Sequence, residues 1–240
     1  MTPISIPLNV TTHNFTDNRA QAQALAADVA EHLRSALTAR GHAVLAVSGG
    51  STPQGFFAHL SDEPLDWAKV RVTLVDERWV ADSDERSNAR LVKSLLLQHA
   101  ASVASFIPLY TGAATPEAGQ AEAAARIGAL PQPFDVVVLG MGDDGHTASF
   151  FPGGDHLADA LDPEGHARVL PMRAPAAGEP RITLTLPALL DTRALYLLVS
   201  GDKKRTLLDD MRQGLDVARD YPVRAVLTQQ RVPVAVYWCP

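Results

Sequence analysis

The sequence predicts an α/β fold, a mostly parallel sheet with helices on both of its faces. Three observations lead to this prediction. Short apolar runs such as Ala43–Val47 and 135–139 are rich in β-branched residues and too short to be helices. Such runs are typical of strands buried on both sides, as in parallel sheets. Longer amphipathic segments separate the runs, and glycine or charged residues follow several of them, where open α/β sheets bind ligands.

Composition narrows the class of protein. A length of 240 residues and a hydrophobic content of 46% allow a sizeable core, and a net charge of −6 argues against nucleic acid as the main partner. The single cysteine, Cys239, leaves no internal disulfide and no cysteine metal site. The first fifteen residues lack a signal-peptide pattern, and no apolar run approaches the ~18 residues that span a membrane. We expect a cytoplasmic protein without membrane contact, acting as a monomer.

The first half of the chain alternates strands and helices, and turn residues mark the boundaries. Asp17 is suited to cap the first helix and Gly41 to end it. Ser51 or Thr52 is expected to cap the second helix, with Pro53 in its first turn. The predicted elements are a strand at 3–10, a helix at 17–40, strands at Ala43–Val47 and 70–75 around a helix at 54–60, a helix at 89–98, a short strand at 105–108 and a helix at 116–127.

The second half continues the alternation around a region rich in Gly, Pro and Ala, 153–180, which we interpret as an excursion between regular elements. The segment 181–186 alternates like a half-buried strand, with Arg181, Thr183 and Thr185 on one face. The pattern predicts one Rossmann-like domain over residues 1–240. Its remaining elements are strands at 135–139, 168–172, 181–186, 194–200 and 233–238, a helical turn at 187–190 and a helix that ends near residue 213.

The stretch 134–154, FDVVVLGMGDDGHTASFFPGG, is a buried strand that breaks into a glycine-rich loop. Glycines let the backbone bend sharply and approach a ligand closely. The titratable residues of the loop follow the carboxyl end of a central strand, where a ligand is expected: Asp143, Asp144 and His146.

The same loop matches the G-x-G-x-x-G pattern of dinucleotide-binding turns. The structural context argues against NAD binding, because the pattern comes late in the chain and two acids in the turn would meet a pyrophosphate. Pro152-Gly153-Gly154 also cuts short the helix that such a turn requires.

Two further loops carry residues suited to bind an anion. Ser48-Gly-Gly-Ser-Thr52 joins a strand to a helix start, where free N–H groups favour negative charge; an ordinary capped turn is the alternative. Asp76-Glu77-Arg78 follows another strand and is otherwise a salt-bridged loop. Because parallel strands end at one edge of a sheet, we expect these loops to meet the loop of His146 there.

The set SGGSTP, DERWV, SN, GMGDDGHTASFFPG, RITLTLP and SGDKK, in this order, resembles the 6-phosphogluconolactonase family over nearly the whole chain. The resemblance implies the fold shared with glucosamine-6-phosphate deaminases and ribose-5-phosphate isomerases. It implies hydrolysis of a phosphorylated sugar lactone, 6-phosphoglucono-δ-lactone, to 6-phosphogluconate in the oxidative pentose phosphate pathway. It also implies that no cofactor and no metal takes part.

The resemblance assigns roles residue by residue. His146 matches the general base, and Asp144 is expected either to hold its imidazole or to bind a sugar hydroxyl. Arg78 or loop N–H groups are expected to stabilise the oxyanion. Lys203 is the alternative to Lys204 as a phosphate ligand, and Asp143 stands where the family pattern has proline. The substrate-binding positions are Ser48, Gly49, Gly50, Ser51, Thr52, Asp76, Gly142, Arg181 and Lys204.

Two other functions remain open at this point. A deaminase or isomerase of the same fold would carry Glu five residues after the histidine, and Phe151 occupies that position. A non-catalytic sugar-phosphate sensor would keep the phosphate-binding residues without needing the base. The presence of both His146 and Asp144 favours an enzyme.

Overall fold

The structure, a computed structural model, describes residues 9–240 apart from the side chain of Arg219. Its strands follow the chain as β1 (Val10–Asn14), β2 (Ala43–Val47), β3 (Val70–Leu74), β4 (Asp76–Arg78), β5 (Ser105–Ile107), β6 (Phe134–Gly140), β7 (Val169–Met172), β8 (Arg181–Leu184), β9 (Thr192–Ser200) and β10 (Val234–Cys239). Its α-helices are α1 (Asn18–Arg40), α2 (Gln54–Ser61), α3 (Asn88–Leu95), α4 (Pro116–Gly128), α5 (Leu157–Leu161), α6 (Leu186–Leu190), α7 (Asp202–Gln213) and α8 (Val223–Thr228).

Seven parallel strands form the main sheet in the order β1-β10-β9-β6-β2-β3-β5. Every residue of β2 is buried, so both faces of the sheet are covered at its centre. From β2 the chain adds strands on one side, and from β6 it adds them on the other. The point where the direction reverses, between β2 and β6, is where open α/β sheets form a crevice for ligands. The predicted fold class is confirmed.

The first helix shows how local sequence sets an element's limits. The Oδ1 atom of Asp17 accepts a hydrogen bond from the N–H of Ala20 at 2.8 Å, which satisfies a donor that the helix start leaves free. Gly41 ends α1 at φ +73°, a left-handed conformation that glycine adopts without strain. Both predicted boundaries of this helix are confirmed.

Two predictions about the elements are wrong, and a third falls mostly on residues that the structure does not describe. The first strand was placed at 3–10; residues 1–8 lie outside the described part, and β1 begins at Val10, where pairing with β10 fixes it. The strand predicted to be half-buried is fully buried as β8, so both faces of this strand are covered. The N-cap of α2 is Pro53, which has helical backbone angles of φ −77° and ψ −2° and a side chain without a hydrogen-bond acceptor. Ser51 and Thr52 therefore do not cap it.

A second, three-stranded antiparallel sheet holds the order β4-β8-β7. Its strand β4 is the charged segment 76–78 expected as a loop, and it lies directly after the end of β3. In this pairing Asp76 is opposite Thr183, and Arg78 is opposite Arg181. The small sheet thus brings charged side chains from distant parts of the chain to the carboxyl edge of the main sheet.

Candidate active site

A cavity of about 280 Å³ opens at the carboxyl ends of β2 and β6. The loop after β2, the strands β4 and β8, the loop after β6 and the start of α7 supply its walls. The structure thus brings together the three loops that were expected to meet. Among the predicted site residues only Asp144 is outside the lining, which includes Ser48, Gly49, Gly50, Ser51, Thr52, Asp76, Arg78, Gly142, His146, Arg181 and Lys204.

Asp144 instead lies behind His146. Its Oδ1 atom is 2.6 Å from Nδ1 of the imidazole and accepts the backbone N–H of His146 at 3.1 Å. Partial burial opposes ionisation, but these two contacts outweigh it and hold the pKa of the Asp144 carboxyl below its usual value. An ionised carboxylate only accepts hydrogen bonds, so we assign the proton of neutral His146 to Nδ1. Nε2 then carries a lone pair.

Two glycines shape the loop that carries His146. A Cβ atom at Gly142 would lie 2.2 Å from Nδ1 and Cε1 of the imidazole, so the ring fits only against a residue without a side chain. Gly145 adopts φ +75°, and a Cβ there would meet Tyr221 at 2.7 Å. The imidazole also packs on Phe151, with ring centroids 4.3 Å apart. These contacts fix the ring at the wall of the cavity.

Arg181 brings a buried positive charge to the wall of the cavity. Its Nη2 donates to the carbonyl of Ala177 at 2.8 Å, and its Nη1 lies 3.9 Å from Oδ2 of Asp76. Burial lowers the pKa of Arg181; the charge of Asp76 opposes this effect, and the charge of Arg78 adds to it. A guanidinium remains protonated in proteins even so. The site therefore presents a desolvated cation to an incoming anion.

Arg78 lies beside Arg181, and only part of the Arg78 guanidinium group is hydrogen-bonded. Its Nη1 donates to the backbone carbonyl of Arg86, whereas its buried Nε has no partner among the described residues. An unpaired buried donor is costly, about 1–3 kcal/mol. Because Arg78 lines the cavity, its guanidinium group brings a second positive charge to the site.

Asp76 is held by a residue of the same loop as His146. Oγ of Ser149 donates to Oδ2 of Asp76 at 2.6 Å, and both residues are buried. Ser149 is not among the site residues that the sequence predicts. Its partner is 73 residues away in the chain, and no local pattern signals that contact.

Glu77 is a second buried acid that the sequence left without a role. Its carboxylate accepts the N–H groups of Arg78, Asn88 and Ala89 at 2.7–2.8 Å and the hydroxyl of Ser87 at 3.1 Å. Burial raises the pKa of Glu77, and the three N–H donors partly offset that effect. The carboxylate fixes β4 to the start of α3. Its neighbours in sequence, Asp76 and Arg78, are thereby held at the cavity.

The two adjacent lysines have different surroundings. Nζ of Lys203 lies 3.0 Å from Oδ2 of Asp143, and both side chains are mostly exposed. Lys204 lines the cavity. Asp143, which departs from the family pattern, thus forms a solvent-exposed ion pair outside the lining of the cavity.

Residues 9–240 contain no helix long and apolar enough to cross a membrane. In the same range no group of three or more His, Cys, Asp or Glu side chains is arranged to hold a metal ion. The predicted absence of a cofactor stays a prediction.

Comparisons of this chain with family models, with curated proteins and with solved structures all find 6-phosphogluconolactonases. A family model described as glucosamine-6-phosphate isomerases/6-phosphogluconolactonase matches residues 16–238. A 6-phosphogluconolactonase of Rhizobium meliloti is 49% identical over 233 residues, which are 97% of this chain and 100% of the relative. One of Mesorhizobium japonicum is 50% identical over 236 residues, 97% of this chain and 98% of the relative. The crystal structure of a 6-phosphogluconolactonase from Shewanella baltica is 42% identical, with a TM-score of 0.92, and covers 96% of this chain and 98% of its own.

Proposed function

Because this chain belongs to the glucosamine-6-phosphate isomerase and 6-phosphogluconolactonase family, we propose that it hydrolyses 6-phosphoglucono-δ-lactone to 6-phosphogluconate, the second step of the oxidative pentose phosphate pathway. Its relatives at 49% and 50% identity are named as lactonases along nearly their full length. The observation that carries the proposal is a histidine held by a carboxylate in a cavity that also contains Arg78, Arg181 and Lys204.

His146 acts as the general base. A lactone is a cyclic ester, so water must attack C1 and the ring oxygen must leave. Nε2 of His146 takes a proton from the attacking water and returns it to the leaving alkoxide. Asp144 keeps the proton of the neutral ring on Nδ1 and stabilises the imidazolium that forms. The 2.6 Å contact favours this role over binding of a sugar hydroxyl.

Arg78 and Arg181 supply positive charge where the reaction and the substrate need it. The tetrahedral intermediate carries its negative charge on the former carbonyl oxygen, and the guanidinium group of Arg78, which lines the cavity, stabilises that charge. The 6-phosphate binds to Arg181, Lys204 and the loop Ser48–Thr52, which line the same cavity. Asp76 accepts hydrogen bonds from sugar hydroxyls.

A deaminase or isomerase activity has less support. The proton transfers of such an enzyme need a further carboxylate five residues after the histidine. Phe151 occupies that position, is buried, and packs on the imidazole. An apolar ring there cannot exchange protons.

The test is hydrolysis of freshly prepared 6-phosphoglucono-δ-lactone, measured as the excess over the enzyme-free rate. The wild type is expected to accelerate ring opening, and His146→Ala to lose about 100-fold or more of kcat/KM, as for a lost general base. His166→Ala, at an exposed position outside the cavity, serves as the control. An active wild type with an unaffected His146→Ala variant would remove His146 from the mechanism. An inactive wild type that binds 6-phosphogluconate would indicate a sensor instead.

We also propose that the protein acts in the cytoplasm as a monomer. Sedimentation of the purified chain tests the second part, since a species of about twice the 25.7 kDa monomer mass would contradict it.

A further inference from the structure

We propose that Ser149 is a positioning residue for substrate binding: its hydroxyl holds the carboxylate of Asp76 apart from Arg181, so that the Arg181 guanidinium stays free for an anionic group of the substrate. This inference rests on the proposed function for the identity of that substrate. It concerns how tightly the anion binds, and it assigns no chemical step to Ser149.

The Ser149 hydroxyl has a fixed place. Its Oγ donates to Oδ2 of Asp76 at 2.6 Å, in a part of the site where Ser149 is fully buried and Asp76 is almost so. The backbone N–H of Ser149 donates to Oγ1 of Thr183 at 3.3 Å, and Thr183 is opposite Asp76 in the pairing of β4 with β8. Two separate contacts therefore bind the loop of His146 to the small sheet.

The carboxylate held by this hydroxyl stops short of Arg181. Oδ2 of Asp76 lies 3.9 Å from Nη1 of Arg181. A direct hydrogen bond between a guanidinium and a carboxylate is shorter, about 2.7–2.9 Å. Because Ser149 binds the same oxygen atom, it opposes the rotation of the Asp76 side chain that would close this gap.

Nη1 of Arg181 is the group that the gap leaves free. Nε and Nη2 of Arg181 both donate to the carbonyl of Ala177, at 3.3 and 2.8 Å. Nη1 makes no hydrogen bond among residues 9–240, and it is not sealed from solvent as Nε of Arg78 is. Arg181 and Asp76 both line the cavity, so a carboxylate in direct contact with Nη1 would compete with an incoming anion.

The backbone of Asp76 is anchored independently of Ser149. Nδ2 of Asn88, which also lines the cavity, donates to the backbone carbonyl of Asp76 at 3.0 Å. The next residue, Glu77, accepts the backbone N–H groups of Asn88 and Ala89 at the start of α3. Loss of the Ser149 hydroxyl is therefore expected to move the side chain of Asp76 and to leave β4 in place.

The test begins with Ser149→Ala, which leaves Oδ2 of Asp76 without its donor. The dissociation constant for 6-phosphogluconate, measured by calorimetry, should rise about 10-fold or more, because the anion loses a charge-assisted contact with Arg181. With the lactone, KM should rise by a similar factor while kcat changes little. Wild-type affinity in Ser149→Ala would overturn the proposal.

A double-mutant cycle separates positioning from general damage to the fold. Asp76→Asn removes the charge that would occupy Arg181, so adding Ser149→Ala to it should weaken binding by less than about 2-fold. Equal losses in the two backgrounds would contradict the role of Ser149. Thr73→Val is the matched control and should keep wild-type affinity, since it also removes a buried hydroxyl, one that donates to the carbonyl of Ile107 away from the cavity lining.

Crystal structures of the wild type and Ser149→Ala give a readout that needs no substrate. The distance between Nη1 of Arg181 and Oδ2 of Asp76 should fall from 3.9 Å to about 2.9 Å in the variant. An unchanged distance would overturn the proposal. If the wild type neither hydrolyses the lactone nor binds 6-phosphogluconate, the proposed function fails, and this distance still tests whether Ser149 holds the two charges apart.

Discussion

Oδ1 of Asp144 lies 2.6 Å from Nδ1 of His146 and also accepts the backbone N–H of the same residue. One carboxylate, two positions earlier in the chain, thus fixes both the loop and the imidazole that it carries. The pKa of this carboxyl lies below its ordinary value of 3.8 despite partial burial, so Asp144 is ionised throughout the neutral range. If activity decreases as the pH is lowered, with a midpoint above pH 5, the group that becomes protonated is therefore not Asp144.

Asp144→Asn should lower kcat by about 10-fold or more, because the amide no longer stabilises the imidazolium and can favour the wrong tautomer. KM should change little, since Asp144 does not line the cavity. Steady-state kinetics on the lactone measure both values. Asp143→Asn is the matched control, as its side chain is exposed and pairs with Lys203. Equal losses in the two variants would show that Asp144 has no special role.

Gly142→Ala should inactivate the protein without unfolding it. The new Cβ would lie 2.2 Å from the imidazole, so the ring must leave its position. We expect a loss of about 100-fold in kcat/KM, similar to that of His146→Ala. Gly128→Ala, in α4, is the control, because a Cβ there meets nothing within 4 Å. Thermal unfolding of both variants separates displacement of the ring from loss of fold, and an active Gly142→Ala would contradict the geometry.

Lys204→Ala should raise KM for the phosphorylated lactone about 10-fold or more, with a smaller effect on kcat, because a charge-assisted contact to phosphate is lost. Lys203→Ala should behave like the wild type, since its ammonium group pairs with Asp143 in solvent. Unphosphorylated gluconolactone provides the internal comparison, as neither variant should change its hydrolysis. A larger increase in KM for Lys203→Ala than for Lys204→Ala would show that Lys203 binds the phosphate.

Glu77→Gln should alter how stability depends on pH. Burial raises the pKa of Glu77 above its ordinary 4.5, so the folded state holds this proton more tightly than the unfolded state. The resulting stability is present below about pH 4.5 and is lost as the pH rises through the raised pKa. We therefore expect the free energy of unfolding of the wild type, measured in urea, to decrease relative to that of Glu77→Gln as the pH rises from 4 to 8. If the free energy of unfolding of the wild type instead increases with pH relative to the variant, the four hydrogen-bond donors outweigh burial in setting the pKa of Glu77.

Elements with strong local patterns were predictable from the sequence. The strand Ala43–Val47 has the predicted limits because the apolar run itself begins at Ala43 and ends at Val47. The helix α1 follows its caps in the same way. The strand β1, by contrast, has the polar sequence VTTHN, and only its partner β10 makes it a strand. The strand β4 likewise exists because β8 lies beside it, about a hundred residues later.

The candidate site likewise contains residues that local sequence predicts and residues that it does not. His146 and the glycine-rich loop were visible because a local motif carries them. Asn88 was not chosen as a site residue, since an asparagine after a serine at a helix start has an ordinary role as part of the cap. Its contacts with Asp76 and Gly49 depend on how three separate segments meet. Contacts of that kind follow from tertiary packing and leave no mark on the neighbouring sequence.

Arg78 and Arg181 are opposite each other in the paired strands β4 and β8, and burial, with the charge of Arg78 added to it, lowers the pKa of Arg181. An anionic substrate bound beside these two cations is expected to offset their mutual repulsion. Binding of a ligand at a hundred times its Kd adds about 2.7 kcal/mol to the free energy of unfolding. The free energy of unfolding is therefore expected to rise with the concentration of the phosphorylated ligand, and thermal unfolding with and without 6-phosphogluconate measures this dependence.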